Sequence, residues 1–173
     1  MKSLISQLRY SDTAQPPHSH YHLSGEMIFV ESGEALFRIN GREYLAKSGC
    51  VVFLNSFEPH EVEIKKEPYR RYFAMVDPSE LERAYPLSRL PSVFKNRPDG
   101  FCHCVSLSKE GEYPFWLFRR LKEEYELERP ASDQMLQSIL EQILILSMRS
   151  CPQNFTSAEN GSRNRVGEVQ RYI

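Results

Sequence analysis

The residues able to do chemistry crowd into one stretch, Pro17-His18-Ser19-His20-Tyr21-His22-Leu23-Ser24-Gly25-Glu26, and are joined later in the chain by His60. In an extended strand, residues two apart project to one face. His20 and His22 therefore converge while Tyr21 points away, and Glu26 keeps the same parity. His60 opens His60-Glu61-Val62-Glu63-Ile64, whose strict alternation gives one buried and one wet face and sets His60 on the inner one with Val62 and Ile64. Three neutral imidazoles and one carboxylate on an interior wall form a donor set for Zn, Ni, Fe, Mn or Cu. Without a metal, the same groups can hydrogen-bond one another or an organic ligand, so both readings stay open.

Such convergence needs rigid strands. From Glu26 to about Val76, short apolar stretches are punctuated by Gly, Asn and Pro every ten residues or so, the pattern of an antiparallel sandwich or barrel. Met27–Val30 and Ala35–Ile39 flank Ser32-Gly33-Glu34. Asn40-Gly41 predicts a tight hairpin, because a type I′ turn needs positive φ at both central positions. Gly49 opens Val51–Leu54, a loop through Phe57, Glu58 and Pro59 leads to His60, and a further strand runs from Tyr69 to Val76. Asp77-Pro78-Ser79-Glu80 then reads as a helix start, with Asp at the N-cap and Pro at the first helical position. Ser88 to Gly100 is irregular, and Phe101 to Leu107 can add one more strand.

The last third changes period. Phe115, Phe118, Leu121, Lys122 and Tyr125 follow Pro114 at helical spacing, and Arg129-Pro130 separates them from Leu136, Ile139, Leu140, Ile143, Leu144 and Met148. This predicts two antiparallel helices. The second carries apolar residues beyond one seam, enough for a partner surface or for packing on the β unit. Cys151 to Asn164 is rich in Ser, Asn, Gly and Pro and reads as a linker. Val166–Ile173 resumes a helical pattern that stops part-way, which predicts a further domain beyond it.

The chain has 173 residues, a net charge of -1 and 40 % hydrophobic residues, so it can bury a core and shows no basic block for DNA or an anionic membrane. No signal peptide or spanning segment is visible, which predicts a soluble, cytoplasmic protein with its four cysteines reduced. Cys102-His103-Cys104 supplies half a zinc site at best and reads more simply as strand alternation. Asn154-Phe155-Thr156 matches a glycosylation sequon, which has no use without a secretory route.

His20-x-His22-x3-Glu26-x6-Gly33 resembles the first cupin motif, and Gly49-x10-His60 resembles the second. The resemblance implies a mainly β fold: a cupin double-stranded β-helix, or jelly-roll barrel, followed by an antiparallel α-helical hairpin. It also implies metal-binding positions at His20, His22, Glu26 and His60, for Zn, Ni, Fe or Mn. Lys47, Cys50 and Ile64 depart from the proline, acidic residue and asparagine expected in the second motif. The order of parts resembles the amino-terminal half of AraC-type transcriptional regulators. That implies a cupin effector-binding domain over residues 1–108 with an N-terminal arm over the pocket, a dimerising hairpin over 109–150, a linker over 151–165, and over 166–173 the start of a missing helix-turn-helix DNA-binding domain. It further implies a small-molecule effector, a homodimer, DNA contact only through the missing domain, no membrane partner and no enzymatic activity. For an anionic or sugar effector, Arg38, Tyr44, Tyr72 and Arg71 are candidate contacts beside His20, His22, Glu26 and His60. The alternative is a metal-dependent cupin enzyme, a dioxygenase or isomerase, but no separate general base is placed by spacing.

Overall fold

In the computed structural model, residues 4–13, 21–95, 97–127 and 129–156 are described. Six antiparallel strands, β1 (Ile5–Ser11), β2 (Gly25–Ile39), β3 (Arg42–Lys47), β4 (Cys50–Leu54), β5 (His60–Val76) and β6 (Cys104–Ser106), are followed or interrupted by three α-helices: α1 (Pro78–Ala84), α2 (Tyr113–Leu127) and α3 (Ser132–Ser150). The strands pair in the order β1-β5-β2-β4-β6, and β3 pairs with β2. The fold is mainly β with a helical C-terminal part, as the cupin resemblance implies.

Two long strands organise it. The first half of β2 pairs with β4 and with the end of β5, as in Ile28 opposite Val52 and Phe73. Its second half pairs with β3 and the start of β5, as in Phe37 opposite Tyr44 and Val62. Between the halves the register slips between Val30 and Ala35, where Gly33 adopts φ +79°. A Cβ at Gly33 would lie 2.4 Å from the Lys66 carbonyl oxygen and 2.7 Å from that of Pro68, so only glycine lets the two bends approach this closely. Pairs of strands read separately in the sequence, 27–30 with 35–39 and 60–64 with 69–76, are thus two continuous, bent strands.

Each bend reverses which face a residue meets. In β2 the buried interior set is Ile28 and Val30 before the bend and Ala35, Phe37 and Ile39 after it. In β5 it passes from even positions, His60, Val62 and Ile64, to odd ones, Tyr69, Arg71, Phe73 and Met75. The inner cluster, which also takes in Val52, Leu54 and Ala46, fills the space between the two half-sheets.

The outer face of the first half-sheet carries the second cluster and the helices. Phe29 stacks on Phe118 of α2 at 4.3 Å between ring centroids and 5° between planes, with Phe115 edge-on at 5.0 Å. Helix α3 buries Leu136, Ile139, Leu140, Ile143, Leu144 and Leu146 in the same cluster. The broad apolar stripe of α3 is therefore largely spent on the β unit and on α2. Local signals behave as their chemistry requires: Asp77 caps α1 by accepting from the Ser79 and Glu80 amides at 2.8 and 3.2 Å, and Asn40 and Gly41 turn with φ 49° and 75°.

The polar stretch expected as a linker from residue 151 is anchored over its first six residues. Phe155 is buried, the Asn154 side chain bonds both the amide and the carbonyl of Cys102, and Thr156 N donates to Ser92 Oγ. The polar composition of 151–164 hid one buried asparagine that satisfies a neighbouring backbone. Residues 157–173, including the expected remainder of the linker and the start of a further helix, lie outside the described residues. Only Cys104–Ser106 of the segment 101–107 forms a strand.

Candidate functional site

A cavity of about 570 Å³ opens between β1 and the bent strands β2 and β5. Its inner end holds His22, Glu26 and His60, and its walls include Phe37, Val62 and Ile64. Strand β1 forms one side: Gln7, Arg9 and Ser11 face the cavity, whereas Ile5 and Leu8 pack into the outer cluster beneath the helices. The expected N-terminal arm is thus, over residues 5–11, a strand of the sheet that contributes to the cavity wall.

Three of the four expected ligand residues converge. His22 Nε2 lies 3.3 Å from Glu26 Oε2, and His60 Nε2 lies 3.6 Å from the same oxygen. One ligand atom from each of the three falls within 4.8 Å of the others. His60 is 2 % exposed and its Nδ1 sits 3.0 Å from the Glu58 carbonyl oxygen. A carbonyl only accepts, so Nδ1 carries the proton and the Nε2 lone pair faces the cavity. That backbone bond is what a metal-ligating histidine needs at its far nitrogen. Glu58 is fixed in turn: Arg97 and the Asn55 amide bind one carboxylate oxygen at 2.7 and 2.9 Å, and Asn40 binds the other.

A lone pair and a buried carboxylate oxygen 3.6 Å apart repel unless a proton or a cation lies between them. The contact with Glu26 raises the His22 imidazole above its ordinary value. Two imidazoles and one carboxylate, aimed together and half-enclosed, also fit a divalent ion of the Zn, Ni, Fe or Mn class. His20, the fourth expected ligand, lies outside the described residues.

The remaining candidates are dispersed. Arg38 lies on the outside, where its guanidinium meets Glu43, Glu61 and Glu63 at 2.7–2.9 Å. It shares even parity with Glu26, but the bend at Gly33 reverses the face between them. Tyr44 shares the inner side with Phe37, yet packs edge-on against His103 at 5.1 Å and does not line the cavity. Tyr72 points to the outer cluster, beside Tyr10 and 3.4 Å from Glu31, whereas its neighbour Arg71 lines the cavity. Arg9, Tyr69 and Phe37, not among the expected site residues, also line the cavity, and the alternation Tyr69-Arg71-Phe73-Met75 is the sequence signal for four of its lining residues. The Cys102-His103-Cys104 run makes no metal cluster among the described residues: His103 Nδ1 donates to the Phe53 carbonyl, and all four cysteines are free thiols.

A profile of the AraC-like ligand binding domain matches residues 4–160. The chain belongs to that family. No curated protein matches this chain. Among solved structures it is similar to oxalate decarboxylase from Bacillus subtilis, a protein with Mn(II) centres, at 22 % identity over 34 % of this chain and 17 % of that one, with a TM-score of 0.31. It is also similar to a putative ethanolamine utilization protein from Salmonella typhimurium, at 21 % identity over 40 % and 54 % of the two chains and a TM-score of 0.33. A third similar structure, of unknown function, is from Rhizobium leguminosarum, at 14 % identity over 40 % and 68 % and a TM-score of 0.38. The AraC-like domain therefore spans only a small part of the decarboxylase. No described helix is long and apolar enough to cross a membrane.

Proposed function

We propose that this chain is the effector-sensing and dimerising region of a DNA-binding transcription regulator, with a small molecule bound in the cavity between β1, β2 and β5 and DNA bound by a helix-turn-helix domain following residue 165. The observation that carries the reading is a half-enclosed cavity, walled by apolar side chains and ending in convergent polar groups, in a chain of the AraC-like ligand-binding family.

Strand β1 supplies a physical route from effector to helices. One of its faces meets the cavity through Arg9 and Ser11; the other packs under α2, whose Tyr125 hydroxyl donates to the Ser6 carbonyl at 3.1 Å. An effector that binds two placements of β1 with different affinity shifts their populations, and about 1 to 3 kcal/mol of coupling suffices for regulation. A regulatory dimer would form on the exposed side of the helical pair.

The test is thermal denaturation against a metabolite library, using wild type and an Ile64→Trp variant that fills the cavity. A true effector raises wild-type stability as RT ln(1 + [L]/Kd) and leaves the variant unmoved. Stabilisation of both alike, or of neither across the library, overturns the proposal. The triad His22, Glu26 and His60 supports a second reading, a metal-dependent dioxygenase or isomerase; when bound, the ion would supply Lewis-acid chemistry at the cavity's inner end. Metal-dependent turnover of any compound that stabilises the protein would favour that reading.

A further inference from the structure

The charges facing the cavity point to the class of its ligand, an inference that rests on the sensing reading above. Arg9 of β1 and Arg71 of β5 both line it. They stand on neighbouring strands, with Arg9 opposite Phe73 and Ser11 opposite Arg71. Neither guanidinium forms an ion pair with a described residue, in contrast to Arg38, which meets three glutamates on the outside. What holds them is neutral. Arg71 donates to the Thr13 carbonyl at 3.2 Å and lies over the Tyr69 ring at 4.9 Å, while Arg9 Nε and Nη2 each reach the Gln7 amide oxygen at 2.8 Å once that amide is turned to present it. Both cations are thus oriented without being neutralised.

Deeper in, Tyr69 is 3 % exposed, lines the cavity, and its hydroxyl has no hydrogen-bond partner among the described residues. A buried hydroxyl in that state costs free energy that a ligand's polar group can relieve. Glu26 offers an acceptor nearby, and Ile28, Phe37, Val62 and Phe73 supply an apolar wall. Arg9 and Arg71 set two positive charges on the β1–β5 side of the cavity, apart from the Glu26 carboxylate that His22 and His60 share, so an anionic head group is matched there. A neutral polyol would leave both guanidiniums without a counter-charge, and an amine would meet two like charges at the rim.

We propose that the ligand is an organic monocarboxylate, its carboxylate held between Arg9 and Arg71, its body against the apolar wall, and a hydroxyl or similar group directed to Tyr69 and Glu26. A planar carboxylate suits the guanidinium fork, and such charge-assisted pairs are about twice as strong as neutral hydrogen bonds.

The experiment is calorimetric titration of the intact chain with matched carboxylate, primary amide, amine and phosphate ester on hexyl, phenyl and 4-hydroxyphenyl bodies. On at least one body the carboxylate should bind about tenfold or more tighter than its amide, amine and phosphate counterparts. Arg71→Gln and, independently, the rim variant Arg9→Gln should each weaken that binding about tenfold, with unchanged thermal stability of the free protein, while Arg38→Gln leaves it unaltered. Equal or tighter binding of the amide, amine or phosphate ester overturns the proposal, as does wild-type affinity in both Arg9→Gln and Arg71→Gln. Absence of binding by every carboxylate overturns it as well. If a neutral metabolite then stabilises wild type but not Ile64→Trp, sensing stands and only the carboxylate class falls; if no metabolite does, both fall.

Discussion

Glu26 sits where the cavity's two chemistries meet, since its carboxylate is shared by His22 and His60 and faces the space a ligand would enter. If the three side chains hold a divalent ion, chelated and reloaded protein takes up one equivalent, and Glu26→Gln or His60→Ala weakens uptake at least about tenfold, as befits loss of a ligand. Uptake that survives both substitutions, measured by metal analysis after gel filtration, would locate the ion elsewhere. A separate histidine gives a pH prediction. Burial lowers His103 below its ordinary value of 6.5, so the folded state favours the neutral ring. The unfolded chain then binds more protons between the two values, and this contribution to stability, complete above about pH 6.5, is lost as pH falls through the folded value. Urea midpoints between pH 8 and pH 5 should therefore fall further for wild type than for His103→Gln, whose amide can still donate to Phe53. Parallel curves would contradict the assignment.

At the scale of elements, the bends in β2 and β5 decide what reaches the cavity. Gly33→Ala places a Cβ against two backbone carbonyls at a positive φ and should cost about 2 kcal/mol or more in urea denaturation, whereas Gly41→Ala, also at positive φ but with nothing within 4 Å, should cost about 1. Equal losses at the two sites would refute the close approach of the bends. On the outer face, Phe118→Ala removes the ring stacked on Phe29 and should cost about 3 to 5 kcal/mol. These bends also mark how far the sequence could be read. Alternation placed His60, Val62 and Ile64 on the inner face because it crosses no irregularity, whereas His22 meets Glu26 across a bend at Leu23-Ser24 that precedes β2, not along the extended strand that parity assumed. Alternation set no face for Arg38 or Tyr72, because each lies beyond a bend and nothing local in a sequence states how many residues a bend consumes. Arg9 was out of reach for another reason: the pairing of β1 with β5 joins residues far apart in the chain, and no short-range pattern encodes it.

For the whole molecule, the helical pair seals the outer face and still leaves Trp116 and Met135 half-exposed, with Tyr113 stacked on Trp116 at 6.0 Å. If this surface carries the dimer, Trp116→Glu should yield a monomer in sedimentation with thermal unfolding of the protomer little changed, and a variant that remains a dimer would place the contact elsewhere. The cavity lies on the inner side of β1 and the helices on its outer side, an arrangement that would let one domain both bind and report if the proposed sensing role holds. The most direct test of that role uses the methionine methyl groups, because Met75 lines the cavity whereas Met135 is on the surface of α3. In a methyl NMR titration with any metabolite that stabilises the protein, the Met75 resonance should shift saturably, with the same Kd as the stabilisation, while Met135 moves little. Saturable binding that leaves Met75 unshifted would show that the ligand goes elsewhere and that the cavity between β1, β2 and β5 is not the sensor.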